Sequence, residues 1–205
     1  MNPLGFVDIM HLEVILLLVP FITSLAEAVK YELLVLDEDI FSSCHDPDPR
    51  TLDLNGLMDF SDLTTSMDAD GITVRGNTTL VWDIQQKDRV QMNMNLSYLD
   101  RGTWTSTVFS LSSRDFCKVM YDKNQPWYKY WTEHISNDIK DKCVNVSGTK
   151  MVYETFVLSL TANVAGGAFR EGRYKTKIIF RAYDSSGTER PTRICFEIQG
   201  ELFKV

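Results

Sequence analysis

Positive charge is scarce in this chain. Lys and Arg number 21 against 28 Asp and Glu, a formal net charge of −7. No basic cluster is dense enough to track a phosphate backbone, which argues against a nucleic-acid partner and against attraction to anionic lipid by charge alone. Histidine is rarer still, with three in the sequence, and no paired-histidine metal helix, nucleophile elbow or phosphate loop occurs. The expectation is a protein with no catalytic residues, no cofactor and no metal. Cys44-His45-Asp46-Pro47-Asp48 is the one run that resembles a metal site, but it reads more simply as a turn, because a cysteine held in a disulfide offers no thiolate. His134 reads as a solvated or interfacial side chain. Pro-, Gly- or Ser-rich linkers, internal repeats and low-complexity runs are also missing, so one domain is expected.

Long hydrophobic runs are missing too. Val14 to Leu18, Val19 and Phe21-Ile22 form an apolar core that is short for a membrane span, is interrupted by Pro20 and ends in Ser24-Leu25-Ala26. This pattern predicts a secretory signal over residues 1–26, cleaved after Ala26, with Ala28 as the second site. It departs from the usual signal in having Asp8 and Glu13 but no Lys or Arg ahead of the core, a pattern that also fits an uncleaved anchor. Cleavage leaves 179 of the 205 residues as residues 27–205 and, with Asp8 and Glu13 gone, a formal charge of −5.

What is present agrees with an extracellular address. Four cysteines, Cys44, Cys117, Cys143 and Cys195, read as two structural disulfides in an oxidising compartment. Four cysteines allow three connectivities. The hypothesis adopted is an outer bond, Cys44 to Cys195, joining the ends of the folded region, and an inner bond, Cys117 to Cys143, clamping the segment that holds Trp127 and Trp131. Three glycosylation acceptors, Asn77-Thr78-Thr79, Asn95-Leu96-Ser97 and Asn145-Val146-Ser147, point the same way.

Short segments with a period of two recur along the chain: Tyr31 to Leu36, Leu52 to Phe60, Ile72 to Trp82, Val90 to Tyr98, Trp104 to Leu111, Val152 to Ala162, Tyr174 to Tyr183 and Ile194 to Leu202. Turn signals separate them, among them Asp70-Gly71, Asp100-Arg101-Gly102 and Asp184-Ser185-Ser186-Gly187. In Val90, Met92, Met94, Leu96 and Tyr98 the apolar residues alternate with Gln91, Asn93, Asn95 and Ser97, which places Asn95 on the solvent face, and Asn77 falls likewise. In the last segment Ile194, Phe196, Ile198 and Leu202 face inward and Arg193, Glu197, Gln199 and Glu201 outward.

Residues 113–140 break this rhythm. Ser113 suits the cap of a short helix carrying Phe116, Val119 and Met120, and Pro126 suits the first position of a second helix in which Trp127, Tyr130, Trp131 and Ile135 share one face.

Gly172-Arg173-Tyr174, a strand, Asp184-Ser185-Ser186-Gly187 and Arg193-Ile194-Cys195-Phe196 through Gly200 resemble the C-terminal hairpin of the ganglioside activator protein and its relatives, the superfamily of secreted lipid-recognition domains. A first-to-last cysteine pair and an inner pair bracketing a helical segment extend the resemblance, and Phe116-Cys117 with Trp127 to Trp131 is similar to the insect branch that includes the chemosensory Che proteins. The chain departs from the pattern in having no extra mid-chain disulfides and no proline opening the loop before Gly172.

The resemblance implies an all-β fold: an antiparallel, immunoglobulin-like sandwich or β-cup with a short helical insert, stapled by two disulfides, whose sheets admit an apolar ligand between them. The inward residues expected to line that space are Trp82, Met92, Met94, Phe156, Leu158, Ile178 and Phe180, with Trp127 and Trp131 at the mouth. Val164-Ala165-Gly166-Gly167-Ala168-Phe169 is an apolar, glycine-hinged loop that suits gating of the cup or contact with a membrane surface, with Phe169 its presenting residue. Two functions follow as expectations. One is a secreted, non-enzymatic carrier of a lipid or pheromone-like molecule, presented to a receptor. The other is an extracellular interaction module or co-receptor whose core is filled.

Overall fold

The computed structural model describes residues 28–35, 39–45, 48–68, 71–165 and 169–205. The predicted signal segment and its Ala26 site lie outside these residues, as do Asp46, Pro47 and Gly166 to Ala168 of the apolar loop. The chain forms a mostly antiparallel β-sandwich closed by two disulfides, with the short strand Thr51–Leu52 pairing in parallel.

The strands are β1 (Ala28–Val35), β2 (Phe41–Ser43), β3 (Thr51–Leu52), β4 (Met58–Asp59), β5 (Leu63–Asp68), β6 (Gly71–Leu80), β7 (Arg89–Asp100), β8 (Thr103–Ser113), β9 (Lys150–Leu158), β10 (Leu160–Ala165), β11 (Gly172–Tyr183) and β12 (Glu189–Lys204). The larger sheet has the order β10-β1-β12-β11-β7-β8, with β2 and β3 also pairing β12, and the smaller sheet sets β4, β5 and β9 against β6. The alternation in the long strands predicts their faces. Val90 and Met92 of β7, Ile178 and Phe180 of β11, and Ile194 and Phe196 of β12 are all buried. Glu197 faces the other side of β12 and is nonetheless only 6% exposed. Lys175 on the neighbouring strand reaches both its carboxylate oxygens, at 3.1 and 3.2 Å, and lies over the Trp104 ring.

The predicted single strand Val152 to Ala162 is in fact two. β9 pairs β6 in one sheet and β10 pairs β1 in the other, so the chain changes sheet at Ser159. The predicted strand Leu52 to Phe60 is likewise broken into β3, a 3-10 turn over Leu54–Gly56 and β4, because the Asp53 carboxylate accepts from the Asn55 N–H and winds the backbone. At Gly76, φ is +109° and an added Cβ would lie 2.2 Å from the Asp62 carbonyl oxygen, so only glycine fits this irregularity in β6. In β8 a bulge sets Thr107, Val108 and Phe109 opposite Leu96, leaving Val108 91% exposed and turning Phe109 onto Phe169, with ring centroids 4.3 Å apart.

The insert is less helical than its spacing predicts. Ser113 ends β8 and caps nothing, and Phe116–Lys118 is a single 3-10 turn. Pro126 opens helix α1 (Pro126–Tyr130) as expected, but the helix stops where the Trp131 backbone leaves helical space (φ −143°, ψ −73°), and a 3-10 turn, Thr132–His134, follows. The Cys117–Cys143 disulfide closes this segment, and Cys44–Cys195 ties the N-terminal strands to β12, with Cα separations of 5.4 and 5.6 Å. On loop entropy alone these links constrain the unfolded chain by roughly 3.5 and 5 kcal/mol respectively, as upper values.

One end of the sandwich is solid. Leu80, Trp82, Val90, Met120, Val144, Met151 and Ile194 are at most 1% exposed there. Its turns are held by a buried polar network: the Arg190 guanidinium donates twice to the Asp88 carboxylate at 2.8 Å, and the Asn145 amide donates to the Gln86 and Asp88 carbonyls at 2.7 and 3.0 Å. The Arg190 hydrogen bonds, with the Gln85 N–H, hold the Asp88 carboxyl below its ordinary range against the opposing effect of burial. A carboxylate stabilised in this way contributes to stability above its unfolded pKa of about 3.9 and loses that contribution as pH falls through its lower native value. Asp88→Asn is expected to cost roughly 3 kcal/mol at neutral pH and to remove this part of the acid limb, as read by urea denaturation at a series of pH values.

Candidate functional site

Between the sheets, toward the opposite end, side chains leave a cavity of about 390 Å³. Apolar pockets that hold small ligands run from roughly 300 to 1,000 Å³. Met92, Met94, Leu96, Tyr174, Ile178 and Phe180 form its wall on the larger sheet, and Val74, Thr78, Tyr153, Phe156 and Leu158 its wall on the smaller one. Phe116, Trp127, Tyr130 and Trp131 of the insert close one side, and Tyr31 and Phe169 stand together at the far end, 5.3 Å between ring centroids. Among the described residues no Asp, Glu, Lys, Arg or His lines the cavity, and its polar residues are threonines and tyrosines beside two tryptophans.

The aromatic insert is fixed by its own polar atoms. The Trp127 indole N–H is shared between the Val119 and Met120 carbonyls, at 3.2 and 3.1 Å. The Trp131 N–H donates to the Tyr153 hydroxyl at 3.1 Å, and the Tyr130 hydroxyl donates to the Thr161 carbonyl on β10. Phe116 meets Trp127, Trp131 and Phe180, so the insert packs against the larger sheet through rings. His134 is not simply solvated: its ring stacks on Phe156 at 3.7 Å between centroids, Nδ1 lies 3.2 Å from the Glu154 carboxylate and Nε2 3.1 Å from the Lys129 carbonyl.

One polar node sits in the cavity wall. The Thr78 and Tyr153 hydroxyls are 3.0 Å apart, and each also reaches a methionine sulfur at 3.7 Å, Met58 for Thr78 and Met151 for Tyr153. Whichever hydroxyl donates to the other, the second has a sulfur to donate to, and the node is internally satisfied. Burial pushes the Tyr153 phenol above its ordinary pKa, with the Thr78 and Trp131 hydrogen bonds opposing that rise.

Met92, Met94, Trp127, Trp131, Phe156, Leu158, Phe169, Ile178 and Phe180, all expected at the ligand site, come together around this cavity. Trp82 does not. It is 1% exposed within the solid end, with its N–H on the Thr192 hydroxyl, because it lies beyond the end of β6, past the hollow region. Thr78, Tyr153, Tyr174 and Thr176 line the cavity too, and Tyr174 and Thr176 occupy the same inward alternation as Ile178, so the period of two was sufficient to find them. Phe60, which closes the predicted segment Leu52 to Phe60, lines it as well, whereas Phe41, from a strand of three residues, had no such signal.

Of the three glycosylation acceptors, Asn95 is exposed and Asn77 is half-buried. Asn145 requires a correction: it is 7% exposed and both donors of its amide nitrogen are engaged, so a glycan on that nitrogen would break the network it anchors. No protein-family model matches the chain, and no curated protein shows a significant match to it.

Tyr153→Phe removes the acceptor of the Trp131 N–H and is expected to lower stability by about 1–3 kcal/mol. Thermal denaturation should therefore show a melting point several degrees lower, with the disulfides intact.

Proposed function

We propose that the protein is a secreted, non-enzymatic carrier of a hydrophobic small molecule, a lipid or pheromone-like compound, held between the two sheets, and that it belongs with the lipid-recognition domains its sequence resembles. The observation that carries this reading is the cavity of about 390 Å³, with no charged side chain in its wall among the described residues. An apolar wall of this extent leaves its side chains without close neighbours, a loss that water, offered few hydrogen-bond partners there, does not make good. An alkyl chain does relieve it, at about 0.8 kcal/mol for each methylene taken from water.

The two disulfides support export to an oxidising compartment. Among the described residues no helix is long and apolar enough to cross a membrane. Exposed Asn95 is the acceptor best placed to carry a glycan, with Asn77 the second.

Native mass spectrometry of protein secreted from eukaryotic cells tests the reading. Co-purified apolar mass, or uptake of a long-chain probe at one equivalent, is the expected result. Met94→Trp, which adds bulk in mid-cavity, should abolish uptake while leaving the protein folded. Wild-type protein that carries nothing and ignores fatty acids, sterols and long-chain hydrocarbons would sink the proposal.

A further inference from the structure

Three residues of the cavity wall, Tyr130, Phe156 and Leu158, also line a surface cleft of about 280 Å³, whose remaining walls are Lys129, Glu133, His134, Val157 and Ser159. The cleft lies between the end of α1 and the point where the chain passes from β9 to β10. Charge, absent from the cavity, appears here within one residue of it.

Lys129 has the decisive position. Its ammonium lies 3.1 Å from the Thr161 hydroxyl, and Thr161 is itself a cavity residue. The same ammonium lies over the Tyr130 ring at 5.2 Å from its centroid. It pairs with no carboxylate among the described residues, and with one of its three donors on Thr161 it keeps two for another acceptor. The backbone beneath it is anchored from both sides, with His134 Nε2 at the Lys129 carbonyl and the Tyr130 hydroxyl on the Thr161 carbonyl. An exposed cation held by Thr161 beside a charge-free apolar cavity matches an amphiphile with an acidic head and a long tail. Glu133 shares the cleft and sets the charge of that head: a single cation beside a carboxylate suits a compact monoanion better than a phosphate.

We propose that the cavity opens to solvent beside Lys129, and that this residue binds the carboxylate of a long-chain acid whose tail occupies the cavity. The inference rests on the carrier reading and narrows its ligand to one chemical class. Sterols and plain hydrocarbons, which have no anionic head, gain nothing from Lys129.

Matched probes separate the two claims. The full secreted protein is titrated with palmitate and with hexadecanol, which have equal chain length and different heads, following the fluorescence of Trp127 and Trp131 or the heat of binding. Palmitate is expected to bind about tenfold tighter at neutral pH, as one charge-assisted contact supports, and the preference should shrink at high salt. In Lys129→Gln the ratio of the two constants should fall to near one, while Lys129→Arg restores most of it. Equal binding of both probes to the wild type, or a ratio that Lys129→Gln leaves intact, overturns the acid-head site and leaves the carrier standing. Failure of both probes to bind, in a protein that still takes up a sterol or a hydrocarbon, overturns the acid-head site alone, and failure of those ligands as well removes the carrier reading with it.

Discussion

β12 runs sixteen residues and is hydrogen-bonded along both edges. β11 lies along one edge for nearly the whole length, and the other is covered in succession by β1, β2 and β3. Because side chains alternate, a slip of one residue anywhere on β12 would reverse Ile194, Phe196, Ile198 and Leu202 to solvent at once. The Cys44–Cys195 bond joins the residues next in register after Ser43 and Phe196, so it pins the strand where its noncovalent cover is made of the shortest pieces. The larger sheet, and with it one whole wall of the cavity, takes its register from this strand.

A sandwich can be hollow at one end only if the other end is stiff. The solid end combines side chains almost wholly withdrawn from water with the Asp88, Arg190 and Asn145 network, which leaves the turns there little freedom. At the hollow end the strands of the larger sheet are joined by rings meeting edge to face, Tyr31 with Phe169 and Phe169 with Tyr174, and the two sheets by the insert bridging to β9 and β10 through Trp131 and Tyr130. Ring contacts of this kind can slide where a bidentate ion pair cannot, so the polar network and the cavity sit where each is tolerated.

The long strands were legible because β6, β7, β11 and β12 bury one face and alternate plainly. β2 and β5 were not: three residues carry no period, and Leu63–Asp68 is too polar for its edge position to show. The change of sheet at Ser159 was hidden because β9 and β10 read as one continuous alternation, and nothing local marks which sheet a strand will join. The insert gave its apolar spacing truthfully but not its helix length, since the Trp131 backbone is set by the indole reaching Tyr153, a partner twenty-two positions away. The disulfide pairing agreed with the outer and inner scheme. The hollow itself was beyond reach, because an inward apolar residue looks the same in sequence whether it meets a neighbour or an open space, as Trp82 and Met94 illustrate.

The hydroxyl pair of Thr78 and Tyr153 has two proton arrangements, each completed by a different methionine sulfur. A node that meets its own polar needs in either of two ways makes no directional demand on what lies against it. It offers no fixed donor or acceptor by which one functional group along a molecule's body could be preferred to another. Selection inside such a space falls to length, girth and flexibility, and chemical discrimination is left to the rim.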